Sequence, residues 1–474
     1  MSQNLQPTRR ETIAALATVP LGFLARQSFG SANAAKSPVP NIVFIMADDL
    51  GFADLSCYGR PDFKTPNIDR LAADGLKFTQ AYANSAVCSA TRTALITGRY
   101  QYRLPVGLEE PLADPKSHVG LPPQHPTLPS LLKKVGYRTT LIGKWHLGWL
   151  PDYGPLKSGY DHFYGFRGGA LDYFTHKPGI AEAVSEDLWD QDAQVHEAGY
   201  LTQLLGDRAV TVIRDYSREP EPFFLSLHFN APHWPWEGPD DEAESKRISN
   251  LRDYDGGSQQ TYARMVEVMD HQVGRVLDAI ATAHLAENTI VIFTSDNGGE
   301  RFADTWPFTG KKGELLEGGL RIPALIRWPG HIRPGTTHDQ VTITMDWLPT
   351  LLETAGTQPD PAFPSDGISL VPTLAGQRSA VARKLYWRFK ANAQRAMRDG
   401  DRKWLKIREN TFLFDVAADP LERANLKERE PLVYQRLAKE YEEWNRTMLP
   451  ENPASYSDKI DGKYWADHYG SVVD

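Results

Sequence analysis

Seven side chains able to hold a cation or carry a proton stand where short apolar runs stop. Asp48 and Asp49 follow NIVFIMA, Lys144 and His146 sit in LIGKWHLG, His233 follows FFLSLHFNAP, and Asp296 with Asn297 follows TIVIFTS. The acids and the amide offer oxygen, the ligand of hard divalent cations such as calcium or magnesium. Brought together without a cation, carboxylates repel by roughly 4 kcal/mol per pair at 4 Å and an effective dielectric of 20. Their convergence would therefore call for a metal. Arg92, Lys144 and Lys312 supply positive charge, and His146 and His233 are titratable donors. Three carboxylates against one divalent cation leave one negative charge, so three fixed cations make the site about two positive. Such a pocket suits an anion of the sulfate or phosphate ester class.

The stretch AVCSATRTALITGRY, residues 86–100, puts Cys88 where a helix begins and Arg92 four positions later. A thiol at a helix N-terminus near an arginine is expected to have a depressed pKa. Three readings stay open on these residues alone: a buried structural cysteine, a thiolate nucleophile with a histidine base, or the precursor of a modified residue. Cys57 is the one other cysteine. The two cannot form a disulfide framework, and Cys88 is not expected to be spent on a bridge.

These positions need a scaffold. NIVFIMADDLG, YRTTLIGKWHLG, PFFLSLHFNAPHWPW, NTIVIFTSDNGGE and IPALIRWPG carry apolar runs that read as buried parallel strands. Between them, TPNIDRLAADGLKFTQAYA, TLPSLLKKVG, YLTQLLGDRAVTVIRDYS and TYARMVEVMDHQVGRVLDAIATAH have helical period. In the last, Met265, Val268, Met269, Val273, Val276, Leu277 and Ile280 make one face. Strand alternating with helix predicts an α/β sandwich with a mostly parallel sheet, whose sites form at the carboxyl ends of the strands. Pro- and Gly-rich segments at 149–160 and 232–258 read as surface loops. Beyond Gly376, short alternating runs split by Asp-Gly and Glu-Asn turns predict an antiparallel meander, followed by a helix with Leu432, Leu437 and Tyr441 on one side.

With 474 residues and a formal net charge of -8, the chain suits one large domain plus a smaller one. It does not have the charge of a nucleic-acid binder. Arg9, Arg10, the apolar run Ile13 to Leu24, Arg26 and the stretch Ala32-Asn33-Ala34 read as a twin-arginine-type export signal. The run is too short to span a bilayer. The expected division is a signal at 1–34, a catalytic domain at 35–376 and an antiparallel-sheet subdomain at 377–474, with the mature chain lacking a membrane span and placed in the periplasm or secreted.

Cys88-Ser89-Ala90-Thr91-Arg92, followed by Gly98-Arg99, resembles the signature of the type I, formylglycine-dependent sulfatases, the arylsulfatase family of the alkaline-phosphatase-like superfamily. ADDLG, GKWHLG, NAPHWP, SDNGG, GKKGELLEGGLRIP and TMDWLPTLLETAG extend the resemblance from about Asn41 to about Leu426. It implies an α/β/α sandwich with a small C-terminal antiparallel sheet, and sulfate ester hydrolysis. It implies that a formylglycine-generating enzyme oxidises Cys88 to Cα-formylglycine. One hydroxyl of the hydrated aldehyde would attack sulfur, and the other would lose its proton as sulfate is eliminated.

The calcium ligands implied by the family fall on Asp48, Asp49, Asp296 and Asn297, with the modified Cys88 near the single ion. Arg92 and Lys144 would anchor the diol, and His146 would be the base of the elimination. Lys312 and His233 would grip the sulfate and protonate the leaving oxygen. Counting back from Glu317-Gly318-Gly319 favours Lys312 over Lys311. Ala90 and Thr91 depart from the commoner proline and serine, which bears on which maturation enzyme accepts the chain.

A phosphonate or phosphate ester hydrolase of the same superfamily is the alternative. Neither ADDLG nor SDNGGE has a histidine beside its acids, which argues against a zinc phosphatase. A third reading is a non-catalytic carbohydrate binder whose Trp234 and Trp236 stack on sugar rings. GGALDYFTHKP, residues 168–178, resembles the corresponding stretch of N-acetylgalactosamine-4-sulfatase and its relatives, which points to a sulfated saccharide as substrate. Asp172, Tyr173, His176, Lys177 and Trp234 are the candidate substrate contacts.

Overall fold

Val43, Ile45 and Ala47 of strand β1 (Asn41–Ala47) join one hydrophobic cluster, and Ile42, Phe44 and Met46 join another. Side chains alternate between the faces of a strand, so a run that is apolar throughout has to be covered on both. Helices Pro66–Ala73, Leu201–Tyr216 and Gln259–Thr282 cover the first face. Helices Cys88–Thr97, Leu128–Lys134 and Trp347–Thr354 cover the second. The result is an α/β/α sandwich.

The computed structural model describes residues 39–113, 118–178, 186–248 and 256–455. The expected export signal, residues 1–34, lies outside them. In chain order the further strands are β2 (Leu76–Phe78), β3 (Ala81–Tyr82), β4 (Arg138–Lys144), β5 (His162–Phe166), β6 (Trp189–Asp190), β7 (Ala193–Gln194), β8 (Phe223–His228) and β9 (Thr289–Ser295). After them come β10 (Ala324–Arg327), β11 (Thr336–His338), β12 (Thr342–Ile343), β13 (Lys384–Phe389), β14 (Gln394–Asp399), β15 (Arg402–Ile407) and β16 (Asn410–Asp415). The main sheet has the order β11-β2-β10-β9-β1-β8-β4-β5-β6-β7. Its centre, from β9 to β5, is parallel throughout. β3 pairs with β12 apart from it.

β13 to β16 form the antiparallel meander. One side packs Met397, Trp404 and Leu413 against Leu437 and Tyr441 of helix Pro431–Asn445. The other packs Leu385, Trp387, Ala396 and Leu405 against Val87, Ala90 and Ala94, around the helix that carries Cys88.

Several expectations need correction. IPALIRWPG supplies β10, which runs antiparallel to both neighbours. The helix expected across TPNIDRLAADGLKFTQAYA stops at Ala73, because the chain turns at Gly75 into β2. A Cβ at Gly75 would stand 2.3 Å from the Ile326 carbonyl oxygen, so glycine allows that turn to touch β10. Residues 232–238 are buried rather than a surface loop, because Trp234 and Trp236 turn inward. Leu432 is 79% exposed, so only Leu437 and Tyr441 face the sheet. Val268 is only half-buried on its helix.

Candidate active site

β1, β8, β9 and β4 run parallel and in step: Ala47 pairs with Ser295, Met46 with His228, and Gly143 with His228. The residues just beyond, Asp48, Asp49, Lys144, Asp296 and Asn297, therefore emerge side by side. All five are buried. Asp49 and His146 hold left-handed backbone, at φ 64° and 59°, a conformation that costs of order 1 kcal/mol or more for non-glycine residues and concentrates at functional sites.

Each carboxylate meets a fixed cation. Lys144 Nζ donates to Asp48 Oδ2 at 2.6 Å, and Lys312 Nζ to Asp49 Oδ2 at 2.6 Å. Arg92 donates through Nε and Nη2 to Asp296 Oδ2 at 3.1 and 2.8 Å. Burial pushes Asp49 up, but Lys312 and then His233 outweigh it and hold the group well below the carboxylate range. Burial followed by the charge of Asp296 pushes Asp48 well above that range, against the pull of Lys144.

Some valence is left over. Asp48 Oδ1 and Asn297 Oδ1 have no hydrogen-bond partner among the described residues. Asn297 spends its Nδ2 on Asp49 Oδ1 at 2.7 Å and on the Gly298 carbonyl, so an oxygen is what remains. Ligand atoms of Asp48, Cys88 and Asp296 lie within 4.8 Å of one another, as do those of Asp48, Asp49 and His233. His233 is a poor ligand as it stands, because the Lys312 ammonium faces its Nε2 at 3.1 Å. Crowded carboxylates with a bare oxygen, plus a bare amide oxygen, fit a hard cation.

Cys88 is the first residue of a ten-residue helix buried throughout, which Gly98 ends in left-handed conformation at φ 65°. Its thiol is raised rather than depressed, against the expectation from a helix N-terminus beside an arginine. Burial raises it, and Lys144 offsets only part of that. Cys57 and Cys88 are both free.

The histidines are neutral by position. Burial and then Lys144 hold His146 well below its ordinary range, and burial and then Lys312 do the same to His233. His146 Nε2 lies 2.5 Å from the Leu112 carbonyl, so Nε2 carries the hydrogen and Nδ1, without a hydrogen-bond partner among the described residues, is the basic nitrogen. His233 Nδ1 lies 2.6 Å from the Trp234 carbonyl, which leaves Nε2 to accept from Lys312.

A model of the sulfatase family matches residues 40–357, and a model described as N-sulphoglucosamine sulphohydrolase, C-terminal, matches residues 310–446. This chain belongs to the sulfatase family. Mouse (Mus musculus) arylsulfatase J is 30% identical over 504 residues, covering 92% of this chain and 82% of its own. Human (Homo sapiens) N-acetylgalactosamine-6-sulfatase is 34% identical over 378 residues, covering 75% and 70%. The crystal structure of Ps i-CgsB in complex with k-i-k-neocarrahexaose superposes with a TM-score of 0.80 at 30% identity, covering 91% of this chain and 98% of that one. The protein is a sulfuric ester hydrolase with the alkaline-phosphatase-like fold.

The structure brings together the candidate site residues Asp48, Asp49, Cys88, Arg92, Lys144, Asp296, Asn297, His233 and Lys312 through the contacts above. The candidate substrate residues divide. Lys177 is exposed. Asp172, Tyr173, His176 and Trp234 are turned inward. Asp172 accepts from the backbone N–H of Phe174 and Thr175 and from Ser245 Oγ. The Tyr173 hydroxyl donates to the carbonyls of Asn230 and His233. His176 lies in the same turn, with its backbone N–H on the Asp172 carbonyl. Trp234 packs its ring 4.8 Å from that of His233.

The residue reading passed over two groups. His228, the last residue of β8, sets Nδ1 3.2 Å from Arg92 Nη1. Its position at a strand end was the available signal. The Leu112 carbonyl, which fixes the His146 tautomer, is a backbone group and leaves no trace in residue type.

Proposed function

We propose that this sulfatase hydrolyses sulfate esters of saccharides with a formylglycine made from Cys88 and one calcium ion. The observation that carries the reading is the convergence of Cys88 with Asp48 and Asp296 inside a ring of three fixed cations. Asp48, Asp49, Asp296 and Asn297 would hold the ion. When bound, it supplies positive charge for the nucleophile and the sulfate oxygens.

The side chains then divide the work. Arg92, oriented by Asp296 and His228, and Lys144, oriented by Asp48, fix the group at position 88. His146 takes a proton on Nδ1 while Leu112 holds the ring. Lys312 keeps its charge because Asp49 outweighs the cost of burial, and it grips the sulfate. His233 donates to the leaving oxygen from Nε2 after taking a proton from solvent, a charge that Asp49 Oδ2 at 3.5 Å favours. The products are the alcohol and sulfate.

The saccharide reading draws on N-acetylgalactosamine-6-sulfatase and on the oligosaccharide complex of Ps i-CgsB among the similar proteins. Trp306 adds to it. Among the described residues it is the one exposed aromatic, at 67%, on the segment between Asn297 and Lys312, and it offers a stacking face for a sugar ring. A maturation enzyme for Cys88 and export by the twin-arginine route belong to the same proposal. No described helix is long and apolar enough to cross a membrane.

Assay of the purified enzyme on defined sulfated saccharides, an aryl sulfate and an aryl phosphonate tests the proposal. The expected order of kcat/KM is saccharide, then aryl sulfate, then phosphonate. Turnover of the aryl sulfate alone would remove the saccharide assignment, and preference for the phosphonate would favour the rival hydrolase.

A further inference from the structure

One loop, residues 168–176, touches both histidines of the site. A Cβ placed on Gly169 would stand 2.7 Å from His146 Cε1 and Nε2, so the glycine backbone lies directly against that ring. Five residues past the end of β8, the His233 carbonyl accepts from the Tyr173 hydroxyl at 2.8 Å. Two buried acids meet where this loop crosses the segment after His233: Asp172, within the loop, and Glu237, whose Oε2 takes the Tyr173 N–H.

Asp172 is saturated with donors. Its Oδ1 accepts from Phe174 N at 2.9 Å and Thr175 N at 2.6 Å, and Ser245 Oγ lies 2.8 and 2.9 Å from its two oxygens. Glu237 is less well supplied. Its Oε2 accepts from Tyr173 N at 3.1 Å, whereas Oε1 meets no donor among the described residues. The Glu237 carboxyl also lies within hydrogen-bonding reach of Asp172. Two carboxylates in dry contact repel, and a single proton turns the contact into a strong hydrogen bond.

We propose that Glu237 holds a proton and donates it to Asp172, and that this bond positions His146 and His233 by fastening the 168–176 loop to the segment that follows His233. Both acids are positioning residues, because neither touches the reacting atoms. Burial, then the charge of Asp172, pushes Glu237 up to about 9, with Asp241 adding to the rise. The other ionisable groups around the pair are Tyr173, Tyr200, whose hydroxyl donates to the Glu237 carbonyl, His176 and Glu186 beyond Asp172, and Arg264 beyond Tyr200. The inference concerns sulfate ester hydrolysis by the site described above and rests on that reading of His146 and His233.

The sign of the pH effect is fixed. Glu237 binds its proton more tightly folded than unfolded, so the bond's support is present at low pH and declines as pH rises from about 4.5 to about 9. Glu237→Gln keeps a neutral donor toward Asp172 at every pH. The test compares wild type, Glu237→Gln and Glu237→Ala by aryl sulfate kinetics and by unfolding midpoints from pH 5 to 9. Glu237→Gln is expected to stay within about twofold of wild type in kcat at pH 7 and to lose much of the decline in midpoint with pH. Glu237→Ala is expected to lose about tenfold or more in kcat with KM nearly constant. If it fails to fold, wild type against Glu237→Gln decides the matter. Equal pH slopes in those two proteins, or a Glu237→Gln enzyme as impaired as Glu237→Ala, would overturn the proposal. The unfolding data stand whatever ester proves to be the substrate, so failure here is separable from failure of the functional reading.

Discussion

Two clusters of buried charge can be set side by side. Near the C-terminal sheet, Glu317 accepts from Tyr82 Oη and Arg321 Nε, both at 2.6 Å, and from Lys403 Nζ at 3.0 Å. Lys403 also pairs with Glu422 at 2.9 Å, Glu422 Oε2 takes the Glu317 N–H at 2.6 Å, and Arg398 reaches Tyr82. At the active site the same kinds of side chain also pair, Asp48 with Lys144, Asp49 with Lys312 and Asp296 with Arg92. There, though, Asp48 Oδ1, Asn297 Oδ1 and His146 Nδ1 have no hydrogen-bond partner among the described residues. In the first network Glu422 Oε1, outside any hydrogen bond among the described residues, still faces Lys403 Nζ at 2.9 Å, and the network binds distant stretches of chain together. The second keeps bare acceptors buried at a cost that only a ligand repays.

Substitutions should therefore act in opposite directions on stability and turnover. The largest effect is expected from Asp48→Asn, which removes charge where carboxylates crowd. kcat/KM should fall on the order of 10³-fold, while the melting temperature holds or rises. Next is Lys403→Met, which removes the ammonium facing Glu422 and one of the three side-chain donors to Glu317, and should cost about 3 kcal/mol. Thermal unfolding would shift down by several degrees, and kcat at low temperature should change little. If Lys403→Met abolished turnover in a folded protein, or if Asp48→Asn unfolded it, the contrast would be false.

Smaller effects sharpen the same division. Trp306→Ala should raise KM for a sulfated saccharide roughly 2–10-fold and leave a small aryl sulfate unaffected. Kinetics on the two substrates in parallel would show it. The smallest effect is at Glu422. Burial raises it to about 7 despite the pull of Lys403. The folded state therefore keeps a proton that the unfolded chain loses near 4.5, and stability declines as pH climbs between those values. Glu422→Gln should flatten the unfolding midpoint over that window, with turnover unchanged.

Much of the site was legible because parallel strands end together. A switch from apolar to polar at Ala47–Asp48 and at Ser295–Asp296 marks the sheet edge to within one residue, and register then places those acids side by side. Other features depend on contacts that residue type does not carry. The direction of β10 is set by its neighbours, since an apolar run looks the same in either sense. Cys88 sits at a helix N-terminus beside Arg92, yet burial decides its ionisation. Asp172 has the polarity of a sugar contact, but its oxygens are consumed by Phe174, Thr175 and Ser245. His228 ends an apolar strand, as the other site residues do, but carries no motif that marks its contact with Arg92.

The central claim is that position 88 reaches the oxygen-lined end of the sheet as an aldehyde made from cysteine. Mass spectrometry of the peptide spanning Ala86–Arg92, taken from enzyme that turns over an aryl sulfate, tests it directly. The account predicts the mass of formylglycine at position 88 in the active fraction, and an intact cysteine throughout that fraction would contradict it.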